Sequence, residues 1–285
     1  MWTQQMIHTK RGTFELFTKG NGEPLCITHH YSQFNETGDY FADVFTSTHR
    51  VFLINLRDAG NSAEAKVENE LSMIETIHDL EAIREALQLP TWHFAGHSTG
   101  GMLGLLYAIT YLTSLQSLVV AGAAASNYTE TPFCIYNPVH PQFYYMQQLI
   151  ENLKHPHITN EKRKELSIMR TKLSLYKPEN YNSYFCKPIQ KTMSASRMNA
   201  FSHEYPAFDL KEYLPSIKTK TLIMCGRHDV QCPIQYSIEI HKGIRNSIFA
   251  SFEDSNHYPF LEEAAQFTST IQEFYQSLQQ ENTRH

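Results

Sequence analysis

The stretch Trp92-His93-Phe94-Ala95-Gly96-His97-Ser98-Thr99-Gly100-Gly101-Met102-Leu103 decides how this chain is read. Its apolar opening suits a buried strand, and Met102, Leu103, Leu105 and Leu106 continue at helical spacing. Between them, Gly96 to Gly100 predicts a sharp strand-to-helix turn. A serine at the apex of such a turn needs small residues two before and two after it, so that the backbones pack closely and the hydroxyl stays exposed. The inert alternative is a glycine-rich turn without reactivity. Phosphate binding is not expected, because no Lys-Ser or Lys-Thr pair follows the loop and no GxGxxG opens the helix.

Outward from this turn, short apolar runs recur at 24–28, 51–56, 117–121, 221–225 and 248–252, the pattern of strands buried on both faces of a mostly parallel sheet. Extended runs at 6–9 and 13–18 flank Lys10-Arg11-Gly12 and predict an antiparallel hairpin. Leu71, Ile74, Ile77, Leu80, Ile83 and Leu87 mark an amphipathic helix, which Pro90 is expected to end. Strands alternating with helices predict an α/β fold of three layers, a mostly parallel central sheet with helices on both faces. From 126 to 216 the alternation stops, and helical segments rich in aromatics take over. The expected organisation is therefore a core of residues 1–125 and 217–285 with a helical cap insertion at 126–216, lying over the carboxyl ends of the strands, where such sheets bind ligands.

The totals agree with one such unit. The chain has 285 residues, 41% hydrophobic and 19% charged, ample for a core. The net charge of −5 is spread without a basic stripe, so nucleic acid is not an expected partner. Five scattered cysteines with no CxxC pair read as reduced thiols. The start, Met1-Trp2-Thr3-Gln4-Gln5, lacks the basic stretch and apolar run of a signal peptide, and no run is long enough to span a bilayer, so a cytoplasmic protein without a membrane partner is expected.

A serine hydroxyl is a weak nucleophile at neutral pH and requires a base, which in turn requires a partner to fix its tautomer. In the order serine, acid, histidine, both should lie downstream in loops after late strands. Asp229 follows the 221–225 run within Gly226-Arg227-His228-Asp229-Val230, and His257 follows 248–252 within Asp254-Ser255-Asn256-His257-Tyr258-Pro259. The plainer reading of Asp229 is a cap for a helix starting near Pro233; His228 is the alternative base. The tetrahedral intermediate needs two backbone N–H donors, expected at Thr99 and, in the loop after 24–28, at Tyr31, with His30 as the alternative. A histidine base predicts activity that falls as the solution is acidified through about pH 6 to 7.

These residues resemble the α/β-hydrolase superfamily, in particular its capped branch of serine hydrolases: esterases, proline iminopeptidase-like enzymes and carbon–carbon bond hydrolases. Asn55-Leu56-Arg57-Asp58-Ala59-Gly60-Asn61-Ser62 is similar to the DxRGxGxS loop of that branch, and His257-Tyr258-Pro259-Phe260-Leu261-Glu262 to its histidine loop. There are two departures. His29-His30 stands where the family has His-Gly, placing a side chain beside the second oxyanion donor. Asn55 and Asp58 replace the usual aspartate and first glycine, a change expected to affect loop packing rather than catalysis, with Ser62 structural.

The resemblance implies acyl transfer to water: cleavage of an ester or related acyl bond of a small, partly apolar substrate through Ser98, His257 and Asp229. Ser98 at the turn argues against the Asp-nucleophile members. Alternatives are a proline iminopeptidase-like aminopeptidase, for which Glu130, Glu151 or Glu204 would hold the substrate ammonium, and a non-catalytic small-ligand receptor on the same fold. Tyr128, Phe133, Tyr136, Phe143, Tyr144, Tyr145, Tyr176, Tyr181, Tyr184 and Phe185 either line an apolar pocket or form the insertion's own core. His29-His30 and His155-Pro156-His157 lack a third ligand at helical spacing, so neither metal nor cofactor is expected. Natural substrate and oligomeric state stay open.

Overall fold

The structure, a computed structural model, describes residues 1–155 and 157–282. Its strands are β1 (Thr3–Thr9), β2 (Gly12–Lys19), β3 (Glu23–Ile27), β4 (Ser32–Gln33), β5 (His49–Ile54), β6 (Trp92–His97), β7 (Leu115–Ala121), β8 (Thr192–Met193), β9 (Lys220–Gly226) and β10 (Ser247–Phe252). All but β4 and β8, which pair with each other, form one eight-stranded sheet in the order β1-β2-β5-β3-β6-β7-β9-β10. The expected hairpin, β1 with β2, is antiparallel, as is β2 with β5; the other pairings of this eight-stranded sheet are parallel.

The helices are α1 (Tyr40–Asp43), α2 (Met73–Ala86), α3 (Thr99–Thr110), α4 (Phe143–Lys154), α5 (Asn160–Lys172), α6 (Tyr181–Tyr184), α7 (Ala195–Glu204), α8 (Ile234–Gly243), α9 (Pro259–Glu262) and α10 (Ala264–Asn282). Alternate side chains of a strand point to opposite faces, and the two cores divide accordingly. Phe94, Leu118 and Val120 pack with Ile77, Leu80 and Leu103 of α2 and α3, whereas Ala95, Val119 and Ala121 pack with Phe41, Phe267 and Ile271 of α1 and α10. Burial on both faces explains why the central runs are continuously apolar. It fails at β10, an edge strand paired only to β9, where Phe252 alone is buried.

Two further expectations shift. In α2, Ile77, Leu80 and Ile83 face inward as expected, but in the first turn Met73 is buried and Ile74 is 38% exposed. That helix ends at Ala86, not at Pro90: Gln88 takes a left-handed φ of 58°, which stops the spiral first. Between β7 and β9 the chain forms α4 to α7 and the short β8, leaving and rejoining through an antiparallel bridge of Ser126 with Asp209 and a 2.7 Å bond from Leu210 N–H to the Ala125 carbonyl. All five cysteines are free thiols, and among the described residues no helix is long and apolar enough to cross a membrane.

Candidate active site

Ser98 stands where β6 turns into α3, with φ 55° and ψ −124°. Such a backbone costs a non-glycine residue on the order of 1–3 kcal/mol and persists only where its surroundings impose it. Here they do. A Cβ on Gly96 would lie 2.2 Å from the carbonyl of Gly100, and one on Gly100 would lie 2.3 Å from the Thr28 carbonyl, so only glycine lets strand, helix and the β3 loop approach this closely. Ser98 N–H donates to the Ala121 carbonyl at 2.9 Å, tying the turn to β7. The residue itself is half-buried.

Asp229 follows β9 and His257 follows β10, so both reach the same end of the sheet. Both are buried, and His257 Nδ1 lies 2.8 Å from Asp229 Oδ2. The other Asp229 oxygen accepts the amides of Gln231 and Cys232 at 2.9 and 2.8 Å, which fixes the carboxylate plane. It does not cap α8, which starts at Ile234 behind Pro233 without a side-chain cap. Gly122, at the end of β7, passes so near the pair that an added Cβ would stand 3.0 Å from Asp229 Oδ2. His228 is exposed and stacks on Tyr176, outside this arrangement.

The loop around His257 is held from several sides. Glu262 Oε1 accepts the amides of both chain neighbours, Asn256 at 2.9 Å and Tyr258 at 3.4 Å, and Asn256 Oδ1 accepts Val230 N–H at 3.0 Å, joining the acid loop to the histidine loop. His97, next to Ser98, bonds the His257 carbonyl through Nε2 at 2.7 Å, and the two rings lie 4.5 Å apart. Ser98 Oγ and His257 Nε2 form no hydrogen bond with each other among the described residues; contacts of this kind commonly tighten only when substrate is bound.

The two amides expected to act as oxyanion donors lie in different segments, Thr99 at the start of α3 and Tyr31 in the loop after β3. Thr99 N–H is the first amide of α3 and has no partner within the helix. Thr99 Oγ1 lies 3.1 Å from His29 Nε2 and accepts the His30 amide at 3.3 Å, so that amide is engaged by the Thr99 hydroxyl. Asn55 clamps the loop after β3, its Oδ1 accepting Phe34 N–H at 2.7 Å and its Nδ2 donating to the Phe34 carbonyl at 3.0 Å and to Glu15 at 2.6 Å. Ser62 Oγ donates to the Asn55 carbonyl at 2.7 Å, a packing role, and Asp58 occupies the glycine position of that loop at φ 59°.

Arg197 is the residue that sequence reasoning misses. It reaches from α7 into the core, fully buried, and donates through Nε to the His30 carbonyl, through Nη1 to the Arg57 carbonyl at 3.0 Å, and through Nη2 to Thr76 Oγ1 at 2.7 Å and His30 Nδ1 at 3.1 Å. Burial pushes this guanidinium down to about 10. The His30 carbonyl and the Tyr31 N–H belong to one planar trans peptide, so anchoring the carbonyl on Arg197 aims the N–H the opposite way. The extra His30 side chain is absorbed below, packed against Phe201 with Nε2 buried and without a partner. No sequence pattern marks Arg197, since buried arginines carry no periodic signature.

His29, His97 and Tyr258, neighbours of the central residues, line a cavity of about 250 Å³, completed by Arg170, Thr171, Phe185, Ile189, Lys191 and Met193 of the 126–216 segment; Ser98 is not in its lining. Burial pushes His29 and His97 well below the ordinary histidine range, with Lys191 adding a smaller effect, so both are neutral. A separate groove of about 790 Å³ borders Asp229 and His228 and takes Phe133 and Tyr176. The aromatics of the segment thus divide: Phe185 faces the smaller cavity, Tyr128 packs on Tyr205, and Tyr144 is exposed. Glu204 accepts Met73 N–H at the start of α2, and Glu130 and Glu151 are exposed; none of the three lines the smaller cavity. His29 engages Ser32 and Thr99 through its two ring nitrogens, and Pro156 of His155-Pro156-His157 lies outside the described residues. No group of three or more potential metal ligands occurs among the described residues.

Comparison with known proteins bears on this arrangement. A family model described as the alpha/beta hydrolase fold matches residues 20–264. The solved structure of an alpha/beta fold family hydrolase from Bacillus anthracis str. Sterne superposes with a TM-score of 0.93 at 42% identity, covering 96% of this chain and 99% of that one. The AB hydrolase superfamily protein YisY of Bacillus subtilis is 25% identical over 265 residues, 90% of this chain and 93% of its own. A proline iminopeptidase of Saccharolobus solfataricus is 24% identical over 242 residues, 75% of this chain and 72% of its own.

Proposed function

Because this chain belongs to the alpha/beta hydrolase fold family, we propose that it is a serine hydrolase cleaving an ester or related acyl bond of a small, partly apolar substrate. The observation that carries the reading is the buried pair of His257 Nδ1 and Asp229 Oδ2 at 2.8 Å, at the sheet end where Ser98 holds its strained turn. In the proposed mechanism Ser98 Oγ attacks the substrate carbonyl while His257 Nε2 takes its proton. Asp229 keeps Nδ1 protonated and steadies the imidazolium that forms. The oxyanion is met by the amides of Thr99 and Tyr31. His257 then protonates the leaving group, and water, activated by the same ring, releases the acid from the acyl-enzyme. Each step draws on groups of this chain and water.

Residues 126–216 act as the cap in this reading. Their support is the placing of Arg170, Phe185, Ile189 and Met193 around the cavity that His97 and Tyr258 border. Aminopeptidase action on a substrate ammonium is less well supported, because Asp39 is the carboxylate lining that cavity and it is engaged with Lys191 at 3.1 Å.

A fluorophosphonate probe tests the class: it should label the protein at Ser98 and leave the Ser98→Ala variant unlabelled. Absence of labelling in the parent protein favours a silent ligand receptor and ends the enzyme reading. p-Nitrophenyl esters of graded chain length, run beside proline and alanine arylamides, then separate esterase from peptidase; preference for the arylamides overturns the ester assignment.

A further inference from the structure

The cavity beside the Ser98 turn holds an unbalanced positive charge. Its charged lining residues are Asp39, Lys191 and Arg170, the neighbouring His29 and His97 being neutral. Lys191 Nζ lies 3.1 Å from Asp39 Oδ2, and Asp39 Oδ1 accepts the amides of Phe41 and Ala42 at 2.9 and 3.1 Å as the cap of α1. That carboxylate is fully used. Arg170 makes no side-chain hydrogen bond or ion pair with another described residue.

Its placement is not that of a surface arginine. On α5, residues 161–165 are exposed, while Leu166, Ser167, Arg170 and Thr171, three and four positions apart, form the inward stripe. Ser167 and Thr171 line the cavity with it. The charge of Arg170 also reaches the Tyr31 and Tyr258 hydroxyls, pulling them down against the upward push of burial. A half-buried guanidinium without an anion is unfavourable unless one is delivered to it, and the planar guanidinium fork matches a carboxylate in two parallel hydrogen bonds.

We propose that Arg170 is the recognition residue for an anionic group on the substrate, so that the preferred substrates are esters that also bear a carboxylate. The proposal rests on the Ser98 reading for the position of the scissile bond. The carboxylate sits on α5, the ester lies toward the turn, and Phe34, Phe41, Phe185, Ile189 and Met193 enclose the carbon chain between them. The cavity, about 250 Å³, has room for a chain of a few carbons. A substrate ammonium would meet a like charge there.

Monoethyl glutarate and ethyl pentanoate have acyl chains of the same length and differ in the terminal carboxylate. The parent enzyme should favour the anion by about tenfold or more in kcat/KM, and Arg170→Gln should lower that ratio by about tenfold, as expected for a charged hydrogen-bond pair. Arg170→Lys should keep part of the preference. Lys164→Gln, the same loss of charge on the exposed face of α5, should leave the ratio within about twofold. A ratio unchanged by Arg170→Gln, with both esters falling together, overturns the proposal. Calorimetric titration of monoethyl glutarate into Ser98→Ala, with and without Arg170→Gln, asks the same question without turnover. A binding loss of about tenfold supports the proposal even if Ser98 is not the nucleophile, and equal binding overturns it even if Ser98 is.

Discussion

Buried histidines occupy both ends of the sheet, and the two ends are built differently. At the carboxyl ends His257, 3% exposed, has a carboxylate at 2.8 Å. At the amino ends His49 and His93, 4% and 6% exposed, have hydroxyl partners instead, Thr48 Oγ1 at 2.9 Å and Ser117 Oγ at 2.7 Å, and both pack on Tyr275. Burial pushes His49 and His93 down to about 4, so they sit uncharged at neutral pH. Depth in the protein therefore does not make a histidine a base. A working base needs an anion that orients the ring and welcomes its positive form, and of these three buried histidines His257 is the one paired with a carboxylate.

The sharpest way to break this contrast is to remove the groups at each end. Ser98→Ala and His257→Gln should each lower kcat by about 10⁵ to 10⁶ on a responsive ester, whereas His93→Gln should stay within about threefold. A comparable loss at His93 would erase the distinction. Asp229→Asn should cost somewhat less, about 10⁴ in kcat with substrate binding little changed, because the ring then holds the wrong tautomer. The smallest effect belongs to the amino end and is read in stability. A histidine held at about 4 when folded and near 6.5 when unfolded takes up its proton more readily in the unfolded chain between those values. Stability from this pair is complete above about pH 6.5 and declines as pH falls toward 4, by on the order of 2 kcal/mol for each histidine at pH 5. Urea midpoints at pH 7 and pH 5 should differ less in the His49→Gln, His93→Gln double variant than in the parent; an unchanged difference would show that other groups carry the acid sensitivity.

Much of this is legible in the chain because its signals are local. The alternation of apolar runs and helical stripes gives the layered sheet, and the two glycines flanking Ser98 report a backbone approach that any Cβ would block. That Asp229 and His257 meet can be expected from position alone, since neighbouring parallel strands deliver their following loops to one end. What is hidden depends on contacts distant in sequence. Arg197 bonds His30 across 167 positions, and the loss of burial at β10 follows from its edge place in the sheet order, which runs of apolar residues do not encode. Ile74 alone leaves the inward stripe that Ile77, Leu80 and Ile83 keep, its place in the first turn being taken by Met73.

The seating of Arg197 also says how the molecule can open. Swinging residues 126–216 away as one piece would drag a buried cation off two carbonyls, a hydroxyl and an imidazole, stranding it and them, a penalty of several kcal/mol. The α7 end of the segment is thus bolted to the core, and β8 just before it is bolted too, paired with β4 and followed by Ser194, whose N–H donates to the Tyr31 carbonyl at 2.9 Å.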